Sequence, residues 1–152
     1  MQQDGLILIA DDSEDDLLLL KRAFVKTGVL NPIHVVKTGS ETVAYLKGDG
    51  KYADREQFPF PTILLLDLHM PEGDGFDVLK WIRDKSASGG PLIIVLSRLD
   101  EIKNINRAYA LGANSFLTKP GDPAELQQLI KTFHGYWLLR NKAPRFDVPE
   151  GW

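Results

Sequence analysis

The sequence predicts an α/β domain: a five-stranded parallel sheet, doubly wound, with helices on both faces. Three observations lead there. Short apolar runs alternate with amphipathic segments along the chain. The run Thr62–Leu66 is uninterrupted by polar residues, as expected of a strand buried on both faces. The strand–helix order repeats five times, and right-handed crossovers then require parallel strands with helices above and below.

The elements follow in order. Leu6–Ala10 is the first strand, Ile33–Val36 a shorter second, Thr62–Leu66 the third, Leu92–Leu96 the fourth and Ser115–Leu117 the fifth. Ser13 can cap the first helix, with Asp16 three residues on and Gly28 at its end. Leu17, Leu20 and Phe24 then share one face. The second helix covers Glu41–Lys47 and the third Phe76–Lys85. Asp100 can cap a fourth, which runs toward Leu111 and stops at Gly112. The fifth start is the clearest: Asp122 as cap, Pro123 at the first position and Glu125 completing a box, with the helix continuing to about Leu139. Gly48–Pro61 reads as a polar loop. Residues 1–139 make one domain; Arg140–Trp152 is a tail too short for another, and its prolines suit disorder.

A chain of 152 residues is long enough for a self-sufficient core. With 43% apolar and 26% charged residues it has the balance of a soluble globular protein. No cysteine is present, which excludes disulfides, thiolate metal sites and cysteine nucleophiles and fits a reducing, cytoplasmic setting. No apolar run approaches the ~20 residues of a membrane span, and no positive region precedes the first apolar run as a secretory signal would require. Acidic residues outnumber basic ones, 21 to 18, which argues against a nucleic-acid partner.

Each strand end delivers a polar group: Asp11 and Asp12 after the first, Asp67 after the third, Ser97 after the fourth, Lys119 after the fifth. In a doubly wound sheet such ends converge on one crevice. Singly, each is an ordinary loop residue. Together, three carboxylates, a hydroxyl and an amine make a chemical site. Crowded carboxylates repel, and a hard divalent cation with oxygen ligands, such as magnesium, relieves this. Asp67 can then serve as a nucleophile toward phosphorus, with Lys119 and Ser97 meeting phosphoryl oxygens. Before a proline, Lys119 is held extended, and Lys119-Pro120 is a candidate cis peptide.

Asp11-Asp12, Asp67, Ser97 and Lys119-Pro120, in this order on five βα units, resemble the receiver domain of two-component response regulators over residues 6 to 139. The resemblance implies the flavodoxin-like strand order 2-1-3-4-5. It implies that Asp67 is the phosphoacceptor, that Asp11, Asp12, Asp67 and the His69 carbonyl bind magnesium, and that Ser97 and Lys119 contact the phosphoryl group. Phe116 matches an aromatic switch position paired with Ser97, and Gly75 ends the turn into the third helix. The donor would be a histidine kinase or histidine phosphotransfer protein docking on the first helix near Leu17–Leu20, and the output a changed contact with a protein target. Lys51–Asp54, Leu111–Asn114 and Tyr136–Leu139 more narrowly resemble stand-alone regulators serving bacterial phytochromes. Arg98 departs from the pattern: receivers usually carry a small residue there, and a bulky cation can hinder access to the phosphoryl group or pair with it. His69 and Leu99 flank the path of hydrolytic water.

Two other classes compete. An aspartate-nucleophile phosphatase of the haloacid dehalogenase kind needs a second Asp two residues after Asp67, where this chain has His69. A flavodoxin-like cofactor carrier needs a hydroxyl- and glycine-rich loop after the first strand, where Asp11-Asp12-Ser13-Glu14 would repel phosphate unless a metal intervened. His34, His69 and His134 lack metal-ligand spacing. Trp81 reads as helix packing. Tyr136 and Trp137 can cover the end of the sheet or form a homodimer contact.

Overall fold

The computed structural model describes residues 5–85, 89–142 and 152. Five strands, β1 (Ile7–Ala10), β2 (Ile33–Val36), β3 (Ile63–Leu66), β4 (Leu92–Ser97) and β5 (Ser115–Thr118), form one sheet in the order β2-β1-β3-β4-β5. Every neighbouring pair is parallel. Among the described residues, five α-helices lie between and after them: α1 (Glu14–Thr27), α2 (Gly39–Lys47), α3 (Gly75–Lys85), α4 (Ile102–Ala110) and α5 (Pro123–Phe133).

Alternation along the strands sorts the core into two layers, because successive side chains point to opposite faces. Leu8, Ala10, Leu64, Leu66, Ile93 and Val95 pack with α2, α3 and α4. Ile7, Ile9, Ile63, Leu65, Ile94 and Leu96 pack with α1 and α5 through Leu17, Leu20, Phe24, Leu126, Ile130 and Phe133. Apolar burial on both faces explains why β1 and β3 carry no polar residue.

Local signals set most helix ends. Ser13 accepts from Asp16 N–H, and Gly28 closes α1 in the left-handed conformation. Thr38 caps α2 by accepting from Glu41 N–H, which moves its start back to Gly39 from the expected Glu41. The expected cap of α4 is corrected: the helix starts after Glu101, with no side-chain cap. Asp100 instead accepts a 3.3 Å hydrogen bond from Thr118. α5 ends at Phe133, and the chain continues to Leu138 as a π-helical turn rather than as uninterrupted α-helix. Within that turn Trp137 packs on the α1–α5 layer, while Tyr136 is exposed.

Residues 48–61 are less polar in structure than in sequence. Phe58 packs edge-on against Tyr45, Tyr52 and His34, and Tyr52 lies tilted against Tyr45. Arg55 donates to the carbonyls of Tyr45, Leu46 and Phe58, satisfying the end of α2. Residues 143–151 of the expected disordered tail lie outside the described residues. Trp152 has a fixed place: its ring meets Phe60 and Trp81 edge-on at 5.4 and 5.2 Å.

Two close approaches hold the loop that follows β3. Gly39 N–H donates to Pro71 O, and Ser40 donates to Glu72 O from both its N–H and its hydroxyl. A Cβ on Gly39 would meet the Gly73 carbonyl oxygen at 2.0 Å. One on Gly75 would meet the Asp67 carbonyl at 2.5 Å. Backbone this tightly packed cannot relax around an added methyl. Gly39→Ala is therefore expected to lower stability by about 1–3 kcal/mol, measured by urea unfolding. Gly135→Ala, which meets nothing within 4 Å, is expected to change it by less than about 0.5 kcal/mol.

Candidate functional site

The sheet ladder continues one residue past three strands and so fixes the rim. Asp11 N–H donates to Val36 O at 3.0 Å, Asp67 N–H to Ala10 O at 2.9 Å, and Lys119 N–H to Ser97 O at 2.9 Å. Side-chain direction in an extended ladder follows from register. Asp11, Asp67 and Lys119 are thereby brought together, although as many as 108 residues separate them in the chain.

Lys119 is the centre of the cluster. Its Nζ donates to Asp11 Oδ2 at 2.7 Å, Asp67 Oδ2 at 2.9 Å and Asp16 Oδ2 at 3.0 Å. All three ammonium hydrogens thus have a carboxylate acceptor. The Lys119 side chain is only 3% exposed and that of Asp11 2%. The remaining oxygens are also used. Asp67 Oδ1 accepts from His69 N–H at 3.2 Å, and Asp11 Oδ1 from Ser13 N–H at 3.0 Å.

Burial works against the charge of Lys119, but the hydrogen bond to Asp11 and the charges of Asp67 and Asp11 outweigh it and hold its pKa above the usual lysine value. Burial dominates for Asp11 and pushes its carboxyl up, against the pull of Lys119. Asp16 goes the other way. Its hydrogen bonds from Arg98 and Lys119 overcome partial burial and hold it at about 2.

Asp12 is exposed beside this cluster. Asp11, Asp12 and Asp67 each offer an oxygen, and the three oxygens lie within 4.8 Å of one another. Three carboxylate donors, one of them open to solvent, fit a hard cation that keeps some of its waters. Charge fits too: with Asp16 included, the carboxylates outnumber Lys119 and Arg98.

Ser97 is fully buried at the end of β4, and its Oγ accepts from Leu99 N–H at 3.1 Å. Phe116 lies on β5 opposite Val95, partly exposed, with its N–H donating to the Tyr109 hydroxyl at 3.1 Å. The Lys119–Pro120 bond is not cis, since no cis peptide occurs among the described residues; the ordinary trans preference of an X–Pro bond, ~0.5–1 kcal/mol, prevails there. His69 is exposed, while the ring of His34 lies elsewhere, with Nδ1 3.0 Å from the Tyr45 hydroxyl.

One site residue escaped the sequence reading. Asp16 reads as part of a helix cap, and its N–H does bond Ser13. Its side chain, however, joins Lys119 and Arg98. The available signal was position: in the first turn after Asp11-Asp12, a side chain can still face the crevice.

Fold and site together define a class. The chain belongs to the response regulator receiver domain family, whose model matches residues 7–131. It is thus a receiver domain of two-component signalling. Among solved structures it is similar to the response regulator RPA3017 in red light signaling of R. palustris, at 31% identity and TM-score 0.87 over 93% of this chain and 99% of that one. It is also similar to the phosphorylated cyanobacterial phytochrome response regulator RcpA, at 29% identity and TM-score 0.85 over 93% of this chain and 99% of that one. A third is the Mn(2+)-bound response regulator Rcp1, at 26% identity and TM-score 0.83 with the same coverage; Rcp1 comes from Synechocystis sp..

The Asp16 value fixes a pH dependence. A carboxyl held below its unfolded value stabilises the fold above that value, and the contribution disappears as pH falls through the folded one. Asp16→Asn should therefore cost stability at pH 5 and progressively less from about pH 4 toward 2. Urea unfolding in EDTA, compared with wild type at each pH, measures the difference.

Proposed function

We propose that residues 1–139 act as one phosphoryl-accepting receiver, with residues 140–152 as a tail, and that Asp67 is the acceptor. The observation that carries this reading is the buried ammonium of Lys119 on Asp67 and Asp11, set among excess carboxylates. An Asp67 oxygen attacks the phosphorus of a phosphohistidine. The O–P bond forms as the P–N bond breaks, and the departing imidazole keeps the electron pair and takes up a proton.

Lys119 turns from the carboxylates to a phosphoryl oxygen, offsetting charge that grows in the transition state. Ser97 Oγ–H donates to a second phosphoryl oxygen. Magnesium would be held by Asp11, Asp12, Asp67 and the His69 carbonyl, and when bound it offsets the charge of acceptor and phosphoryl group. A divalent ion is supported by the donor set and by the Mn(2+)-bound form of Rcp1.

The new group brings nearly two negative charges and three acceptors. Ser97, drawn toward it, leaves room for Phe116 to turn inward, and the surface of α4, β5 and α5 changes. The domain is a signalling module rather than an enzyme with a separate substrate. Its donor is a histidine kinase or phosphotransfer protein, and its readout a protein contact. A bacterial phytochrome kinase is the favoured donor class, supported by the likeness to RcpA and RPA3017. The setting is the cytoplasm, in line with the absence of any helix, among the described residues, long and apolar enough to cross a membrane.

Two outcomes are expected from labelling with acetyl phosphate, followed by intact mass. Wild type gains one phosphoryl group in magnesium and none in EDTA. Asp67→Asn stays unlabelled in both. Stoichiometric labelling of Asp67→Asn would remove Asp67 from its role.

A further inference from the structure

The Arg98 guanidinium has no place in the chemistry above, yet it is tied into the site. Arg98 directly follows Ser97 at the end of β4, on the rim itself. Its side chain crosses to α1 and grips Asp16 with both ends of the fork, Nη1 to Oδ2 at 2.7 Å and Nη2 to Oδ1 at 3.1 Å. The same Asp16 Oδ2 accepts from Lys119 Nζ. Two cations therefore share one oxygen, and one of them already touches Asp67. Asp16, Arg98, Lys119 and Pro120 line a common small pocket.

We propose that Arg98 is a second, exchangeable phosphoryl-binding cation, held in reserve by Asp16 until Asp67 is phosphorylated. The inference rests on the reading of Asp67 as phosphoacceptor. A guanidinium fork suits two kinds of planar or near-planar oxygen pairs, carboxylate and phosphoryl. With Asp67 bare, Asp16 is the better partner: it is single, close and correctly oriented. A phosphoryl group carries more charge and more acceptor atoms than Asp16. It also draws Lys119 away, and the guanidinium then lies one shared oxygen from the point where the new charge appears. The Arg98 side chain is 53% exposed, so its swing disturbs no packing.

Two consequences separate this arrangement from a plain surface ion pair. The guanidinium is withheld from the resting site, which leaves the carboxylate excess in place for a cation. The exchange also breaks the ion pair that, among the described residues, ties α1 to the segment between β4 and α4. Phosphorylation would thus free that segment from α1 as well as draw Ser97 inward. Asp16 acts here as a positioning residue.

The test uses the full chain in magnesium, with fluoroberyllate as the phosphoryl mimic on Asp67 and calorimetry as the readout. Arg98→Ala is expected to bind it about tenfold more weakly, the loss of one charge-assisted contact. Asp16→Asn should bind it several-fold more tightly, because the guanidinium is no longer held back. In the double variant the Asp16→Asn gain should vanish. Unchanged affinity in Arg98→Ala overturns the proposal. So does an Asp16→Asn gain that persists undiminished without Arg98, which would route the effect through Lys119 alone. Wild type that binds no fluoroberyllate defeats the phosphoacceptor reading itself, and the proposal with it.

Discussion

One buried ammonium makes the rest of the site feasible. Asp11 and Asp67 lie close together at the end of the sheet, and Asp11 is nearly sealed from water. Two carboxylates in that position would repel each other and lose hydration. Lys119 offsets both costs with one hydrogen bond to each and a third to Asp16. The cluster is over-supplied with negative charge even so. An acidic cluster with this electrostatic bias fits a hard cation, and the proposed phosphoryl transfer draws on the same bias. The energy of the resting site thus sits in a balance that an incoming group can tip.

The fold serves that balance by rigidity. The rim residues continue a parallel ladder, so their spacing is set by strand register rather than by loop conformation. The loop carrying His69 is strapped to the start of α2 through Pro71, Glu72 and Ser40. Gly39 and Gly75 are small because backbone lies where a Cβ would go. Rigid elements thus hold Asp67, while the groups proposed to move, Lys119, Arg98 and Ser97, are side chains on the next two strand ends. Their motion needs no change in the sheet.

Most of this was legible in the sequence for one reason. Strands buried on both faces must be apolar, so a polar residue at the end of such a run stands out. That contrast exposes Asp11, Asp67 and Ser97; Lys119 follows the half-buried edge strand β5, with its own Ser115 and Thr118, and is picked out instead by its place before Pro120 at the fifth strand end. Asp16 lacks the contrast, because an acid in the first turn of a helix is ordinary, and only the fold brings it to Lys119. Asp100 misled for the mirror reason: it has the right chemistry for a helix cap, but Thr118, 18 residues later, claims it. The loop over residues 48–61 looks polar by composition. Its few aromatic residues decide its packing, and a count by type conceals that. Trp152 finds Phe60 and Trp81 by a long-range contact to which no local pattern points.

The claim that Lys119 permits the acids to converge is tested most directly by replacing it. Lys119→Met keeps the length and apolar stem while removing the charge. If the ammonium balances the carboxylates, the variant loses about 3–5 kcal/mol in EDTA. Magnesium should then restore more of its stability than it adds to wild type. Urea unfolding in both buffers gives the four values needed. A variant as stable as wild type in EDTA, with no larger response to magnesium, would show that the acids converge without help from Lys119.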